Sequence, residues 1–98
     1  MVRAFYNAKP ARRLHAGAFE TWFKLARRAR WADFQDLRKT FGQSDVAHGV
    51  KGRTATIFDI GGNKYRIVAR VDHFRQTVKI AAIMDHAEYD KELWKKHF

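Results

Sequence analysis

From Ala11 to Arg30 apolar side chains return every three or four positions, at Ala18, Phe19, Trp22, Leu25, Ala26 and Ala29, while Glu20, Lys24, Arg27 and Arg28 take the other side. This spacing predicts a helix with one packed face and one wet, basic face. Pro10 suits the first turn, where its missing amide hydrogen costs nothing, and Gly17 is a weak point that divides the span into two pieces. A second, shorter helix is predicted over "DFQDLRKTFG", with Asp33 as its cap, Phe34, Leu37 and Phe41 along one side, and Gly42 as its stop. After the loop "GQSD" the period changes to two. "RTATIFDI", "KYRIVARVD" and "TVKIAAIM" predict three strands, and "SDVAHGVK" has room for one more short one. "GGN" tolerates the positive φ of a tight hairpin between the first two, and "DHFRQ" forms the second connection. The expected class is α+β: N-terminal helices on one face of an antiparallel meander, then a short C-terminal helical segment.

Strand alternation sorts side chains by face. Tyr65, Ile67, Ala69 and Val71, with Val78, Ile80, Ala82 and Met84, are expected against the helices. Lys64, Arg66, Val68 and Arg70, with Thr77, Lys79, Ala81 and Ile83, fall on the opposite side, so cations from neighbouring strands converge on one open surface. One side of an antiparallel sheet is often simply polar. An ordinary solvent face mixes signs, however, and this one scarcely does.

Composition sharpens this picture. The 98 residues suffice for one domain, residues 1–98, with one modest core, and at 46% hydrophobic and 14% aromatic the chain folds rather than solvates. Having no cysteine, it has neither a disulfide framework nor a thiolate metal site, and its five scattered histidines lack metal-ligand spacing. No metal or other cofactor is expected. "MVRAFYNAKPARR" lacks the apolar run of a signal peptide and no stretch approaches a membrane span, so a cytoplasmic protein without membrane contact is expected. The net charge of +10 is a self-repulsion that polyanions offset, which makes nucleic acid the expected partner. Solubility is the bland alternative for such a surface, and "KLARRAR" is equally readable as a solvated helix face.

Against that basic background "MDHAEYDKELW" gathers a histidine, a tyrosine and four carboxylates just where the last strand ends. A helical turn puts His86 and Tyr89 on one side, at the rim of the cationic face. Asp85, Glu88 and Asp90 are placed to tune the histidine, fix its tautomer, or pair with Lys91, Lys95 and Lys96. RNA cleavage needs such groups: the 2'-hydroxyl loses a proton, the phosphorane's charge is stabilised, and the leaving 5'-oxygen gains a proton. His86 and Tyr89 are the candidate acid and base, and Arg66, Arg70, Lys64 and Lys79 the candidate phosphate holders. Packing or capping is the ordinary alternative for a histidine and a tyrosine at a helix start.

The segment "IGGNKYRIVARV", followed by a strand and "HAEYDKELW", closely resembles the HigB-type toxins of bacterial toxin-antitoxin pairs, relatives of the RelE-like mRNA interferases. The resemblance covers roughly Phe19 to Trp94. It implies a small RelE-like fold and a metal-independent cytoplasmic endoribonuclease acting on mRNA at the ribosome. It also implies a cognate antitoxin, usually a HigA-like helix-turn-helix protein, with operator DNA bound only through the antitoxin complex. Matching positions are Asn63, Lys64 and Arg66 in the hairpin, Arg70 on its strand, and His86 and Tyr89 in the terminal motif. Catalytic roles are assigned to His86, Tyr89, Arg66, Arg70 and Lys79, and RNA binding to Asn63, Lys64, Arg53, Lys51 and Arg75.

Three departures from the family pattern carry expectations of their own. Relatives have an aromatic residue and then an arginine where this chain has Lys79 and Ala81, so Lys79 is expected to replace the missing cation. Asp85 stands where relatives have threonine, and a carboxylate beside His86 raises its pKa, favouring an acid role. "MVRAFYNAKPARR" is short for the family's usual opening, so its first strand is expected to be absent or atypical. The main functional alternative is a non-catalytic nucleic-acid-binding module whose nuclease chemistry has decayed. A DNA-binding regulator is a third reading, but the helices lack a clear helix-turn-helix pattern.

Overall fold

A computed structural model describes residues 2–98. Four helices come first: α1 (Val2–Asn7), α2 (Pro10–Arg13), α3 (Ala16–Arg28) and α4 (Phe34–Thr40). Four strands follow, β1 (Asp45–His48), β2 (Thr54–Ile60), β3 (Tyr65–Asp72) and β4 (Thr77–Asp85), in one antiparallel sheet of order β1-β2-β3-β4. The chain closes with α5 (His86–Asp90) and a 3-10 turn, Leu93–His97. This is the expected α+β, RelE-like arrangement, and "SDVAHGVK" does contain the extra strand. Among the described residues no helix is long and apolar enough to cross a membrane.

The long helical pattern divides at Leu14 and His15, just ahead of Gly17, which lies in the first turn of α3. The His15 ring explains the position of the break. It packs edge-on against Tyr65 at 5.3 Å and beside Gly61, where a Cβ would stand 2.8 Å from the His15 Nδ1. The opening residues form α1 rather than a strand. Glu20, which periodicity puts on the wet face, anchors that helix by accepting hydrogen bonds from Arg3 at 3.0 and 3.1 Å and from the Tyr6 hydroxyl at 2.9 Å. In α4 the Asp33 side chain accepts from the Asp36 amide at 2.9 Å, as its capping position predicts.

One face of the sheet carries Phe58, Ile60, Tyr65, Ile67 and Ala69 against Phe19, Trp22, Trp31 and Leu37 of the helical layer. Aromatic edges hold it together: Trp22 meets Phe58 at 5.2 Å and Phe41 meets Phe58 at 5.3 Å, both T-shaped. Val71, Val78 and Ile80 pack here as expected.

The second half of β4 departs from strict alternation. Val68 pairs with Ala82 but Ala69 pairs with Ile80, so Ala81 is an extra residue in β4, a β-bulge. Beyond it the faces exchange: Ile83 joins the helix-side core, while Ala82 and Met84, expected there, lie on the other face.

That other face is not open. The closing segment, Leu93 to Phe98, lies over it, and Trp94 and Phe98 form a second core with Ala55, Ile57, Val68 and Met84. Val50 donates to the Lys95 carbonyl at 2.9 Å and Arg53 to that of Phe98 at 2.7 Å. Gly49 permits the approach, because a Cβ there would overlap Phe98 and stand 2.7 Å from the Lys95 oxygen. Two apolar side chains of the tail, Trp94 and Phe98, thus cover the strip where unobstructed cations were expected.

Candidate active site

The hairpin between β2 and β3 places Asp59 directly across from Arg66, on the face under the closing segment. Their side chains, 17% and 11% exposed, form an ion pair at 3.0 Å. Burial pushes the Asp59 carboxyl up, and the neighbouring Arg66 guanidinium only partly opposes it. Arg66 Nη1 also donates to the carbonyls of Asn63 at 3.0 Å and Tyr65 at 3.3 Å. Asn63 provides that carbonyl from a turn with a φ of 72°. Nη2 donates to none of these groups. The guanidinium lies over the Tyr89 ring at 5.4 Å, and Trp94 stacks on the same ring at 5.7 Å and 13°.

Burial, more than any neighbour, pushes the Tyr89 phenol above the ordinary tyrosine value, and the carboxylate of Asp45 adds to this. At neutral pH the phenol therefore keeps its proton and is a donor. His86 opens α5, its amide donating to the Lys64 carbonyl at 3.0 Å and so tying the terminal motif to the hairpin. The Asp85 carboxylate does not act on the imidazole as expected. It accepts from the Glu88 amide at 2.8 Å and caps the helix, whereas Asp90, one turn on, meets His86 Nδ1 at 2.9 Å. With the proton of a neutral ring on Nδ1, facing Asp90, Nε2 is the accepting nitrogen. Proton donor and proton acceptor thus project from one turn beside a guanidinium.

The site residues read from sequence fall into two groups. Asn63, Lys64, Arg66, His86 and Tyr89 gather at the end of the sheet where β3 starts and β4 stops. Arg70 and Lys79 face each other across β3 and β4, four residues along from Arg66, ~13 Å at about 3.3 Å per residue. Like charges placed directly opposite repel, and none of the ion pairs among the described residues involves either. Arg70 lies over the Phe98 ring at 5.2 Å. Lys51 and Arg53 follow β1 in the connection to β2, at this same far end, and Arg75 is in the turn after β3, paired with Asp72 at 3.9 Å. Trp94 and Phe98 stand between the groups, so the cations do not converge on one surface.

Sequence reasoning missed Asp59 and Trp94. Asp59 had a signal: a tight "GGN" hairpin sets the register that pairs it with Arg66. Nothing local marked Trp94 as the lid over Tyr89. Among the described residues no three His, Asp or Glu side chains are grouped to hold a metal ion.

A family model, HigB_toxin, described as the RelE-like toxic component of a toxin-antitoxin system, matches residues 15–92. The matched span runs from the start of α3 past α5, and leaves α1, α2 and the closing turn outside it. No curated protein matches the chain.

Proposed function

Since the chain belongs to the HigB toxin family, the RelE-like toxic components of toxin-antitoxin systems, we propose that it is a metal-independent endoribonuclease that cuts mRNA on the ribosome. The observation that carries this reading is the Tyr89 phenol, held protonated under the Arg66 guanidinium, one turn from an imidazole whose Nδ1 is fixed by Asp90. His86 Nε2 takes the proton of the 2'-hydroxyl as its oxygen attacks phosphorus. Arg66, through Nη2, stabilises the charge on the phosphorane. Tyr89 gives its proton to the 5'-oxygen as the phosphorus–oxygen bond breaks, leaving a 2',3'-cyclic phosphate and a 5'-hydroxyl. Lys64 holds phosphate at this end, while Arg70, Lys79, Arg53 and Lys51 engage the strand on the far side of Phe98. Arg75 is the outermost of these contacts.

The toxin acts in the cytoplasm and is restrained by a cognate antitoxin of the helix-turn-helix kind, with operator DNA bound only by the complex. Expression in cells tests the catalytic assignment. Wild-type protein arrests growth, and His86→Ala, Tyr89→Phe and Arg66→Ala each relieve the arrest at equal protein levels, since loss of one acid-base group lowers rates by roughly 10²–10⁴-fold. Arrest undiminished in all three variants would remove the mechanism.

A second reading, an RNA-binding module that no longer cuts, draws on two observations. Arg66 is already neutralised by Asp59, and alanine occupies position 81 where the family has a further cation. That module would still bind RNA, and its effect on growth would be indifferent to Tyr89→Phe.

A further inference from the structure

The basic run "KLARRAR" and the turn between β3 and β4, residues 73–76, meet at the end of the sheet opposite Tyr89. Gln76 fastens them together. Its side-chain oxygen accepts from the Trp31 amide at 3.0 Å, and its Nε2 donates to the Trp31 carbonyl at 2.8 Å, which also accepts from His73 Nδ1 at 3.3 Å. Gln76 adopts a φ of 55° in this position, and across the base of the turn the Asp72 carboxylate accepts from the Arg75 amide at 3.0 Å. Side chains on both arms therefore fix the turn.

The residue at its tip is nevertheless bare. Phe74 is 96% exposed, the highest value among the large apolar side chains described. It has no place to fold inward: the space walled by Ala26, Ala29, Trp31, His73 and Gln76 is about 10 Å³, room for one water. A fixed turn that holds an aromatic ring outward is preorganised for contact, because little remains to be ordered on binding.

Charge identifies what the ring meets. Arg75 follows it, and Arg28 and Arg30 flank Ala29 and Trp31 in the wall of the same small space. All three are exposed; among the described residues Arg28 and Arg30 are in no ion pair, and Arg75 reaches Asp72 only at 3.9 Å. An aromatic face among guanidinium groups suits an unpaired nucleobase, since every base has a face to stack and its flanking phosphates meet cations. The position is continuous with the site. Arg70 opposite Lys79, then Arg75, lead from Arg66 along β3 and β4, and Phe74 lies ~26 Å beyond Arg66 at about 3.3 Å per residue.

We infer that this turn is a distal clamp on the RNA strand: an unpaired base stacks on Phe74 while Arg75, Arg28 and Arg30 hold the neighbouring phosphates. The inference rests on the reading that the chain binds RNA, common to both functions proposed above, and not on cleavage.

The test is titration of the full chain with a single-stranded 2'-O-methyl RNA about 12 nucleotides long, enough to span that distance at about 3.4 Å per stacked nucleotide. Such a strand has no 2'-hydroxyl to attack, so wild-type protein binds it without cutting. Phe74→Ala raises Kd roughly 5- to 150-fold, the loss of one stacked base, and Phe74→Leu does the same, whereas Phe74→Trp keeps the wild-type value. An abasic strand of equal length binds wild type and Phe74→Ala alike. Arg30→Ala lowers the salt slope of binding by about 0.7. Because Phe74 packs against nothing, its variants keep the wild-type unfolding midpoint. Equal Kd for wild type and Phe74→Ala overturns the inference alone. So does wild-type affinity in Phe74→Leu, which would mark a merely apolar contact of the kind a protein partner makes. A wild type that binds no RNA overturns the inference together with the reading beneath it.

Discussion

The two faces of the sheet come from the same strands and serve different ends. Against the helices lie large rings and branched chains, Phe19, Trp22, Phe58, Ile60 and Ile67, none more than 4% exposed. Under the closing segment the strands offer Ala47, Ala55 and Ala82 among Ile57, Val68 and Met84, and the large side chains, Trp94 and Phe98, come from the tail. Four charged side chains project from this second face, Asp59 opposite Arg66 and Arg70 opposite Lys79. A sheet face that is only thinly covered can hold groups that act on a substrate, because moving a six-residue segment disturbs far less burial than moving a helical layer.

Truncation on each side is the strongest way to break that contrast. Phe19→Ala removes a fully buried ring that contacts Phe5, Tyr6 and Tyr65, and is expected near the upper end of the roughly 3–5 kcal/mol typical of such changes. Trp94→Ala is expected near the lower end, about 3 kcal/mol, with the loss concentrated in faster amide exchange at Val50 and Arg53. Denaturant unfolding of both variants gives the ranking. Equal losses would mean the two layers are equally essential. A subtler probe is Gly49→Ala, whose methyl overlaps Phe98; about 1–3 kcal/mol is expected, again with exchange rising along the closing segment rather than in α3.

Acid separates the faces without mutation. Arg3 and Tyr6 hold the Glu20 carboxyl below the ordinary glutamate value, so its contribution is full above that value and is lost as pH falls through the lower folded one. Burial holds Asp59 above the ordinary aspartate value, so its contribution is present below that value and lost as pH rises through the higher folded one. Between about pH 6 and pH 3 the amides of α1 should therefore lose protection, while those of β2 and β3 around Asp59 and Arg66 should not. Loss in the reverse order would show that the Arg3–Glu20 contact does not secure α1.

Local pattern made one face legible and not the other. Tyr65, Ile67, Ala69 and Val71 were assigned by a period of two that nothing interrupts, and Asp33 by its capping position. Ile83 and Met84 were misplaced because one bulge at Ala81 reverses the faces beyond it, and no residue type there announces a bulge. Asp85 carried a readable signal, since aspartate with glutamate three positions on suits a helix start, and its side chain is committed to that cap. The lid was hidden for a different reason. Trp94 and Phe98 sit among lysines and a histidine in a tail without strong periodicity, and their partners Ile57 and Val68 are far away in sequence. His86 and Tyr89 were legible as chemistry, but the stacking of Trp94 on Tyr89 depends on that folding-back.

The most direct measurement maps the 5' ends of cellular transcripts after induction of the wild-type chain beside Tyr89→Phe. If the thinly covered face is an RNA-cleaving site, the wild type creates new 5'-hydroxyl ends in frame within translated codons, and the variant at equal abundance does not. No new ends with the wild type, or the same ends undiminished in the variant, would contradict it.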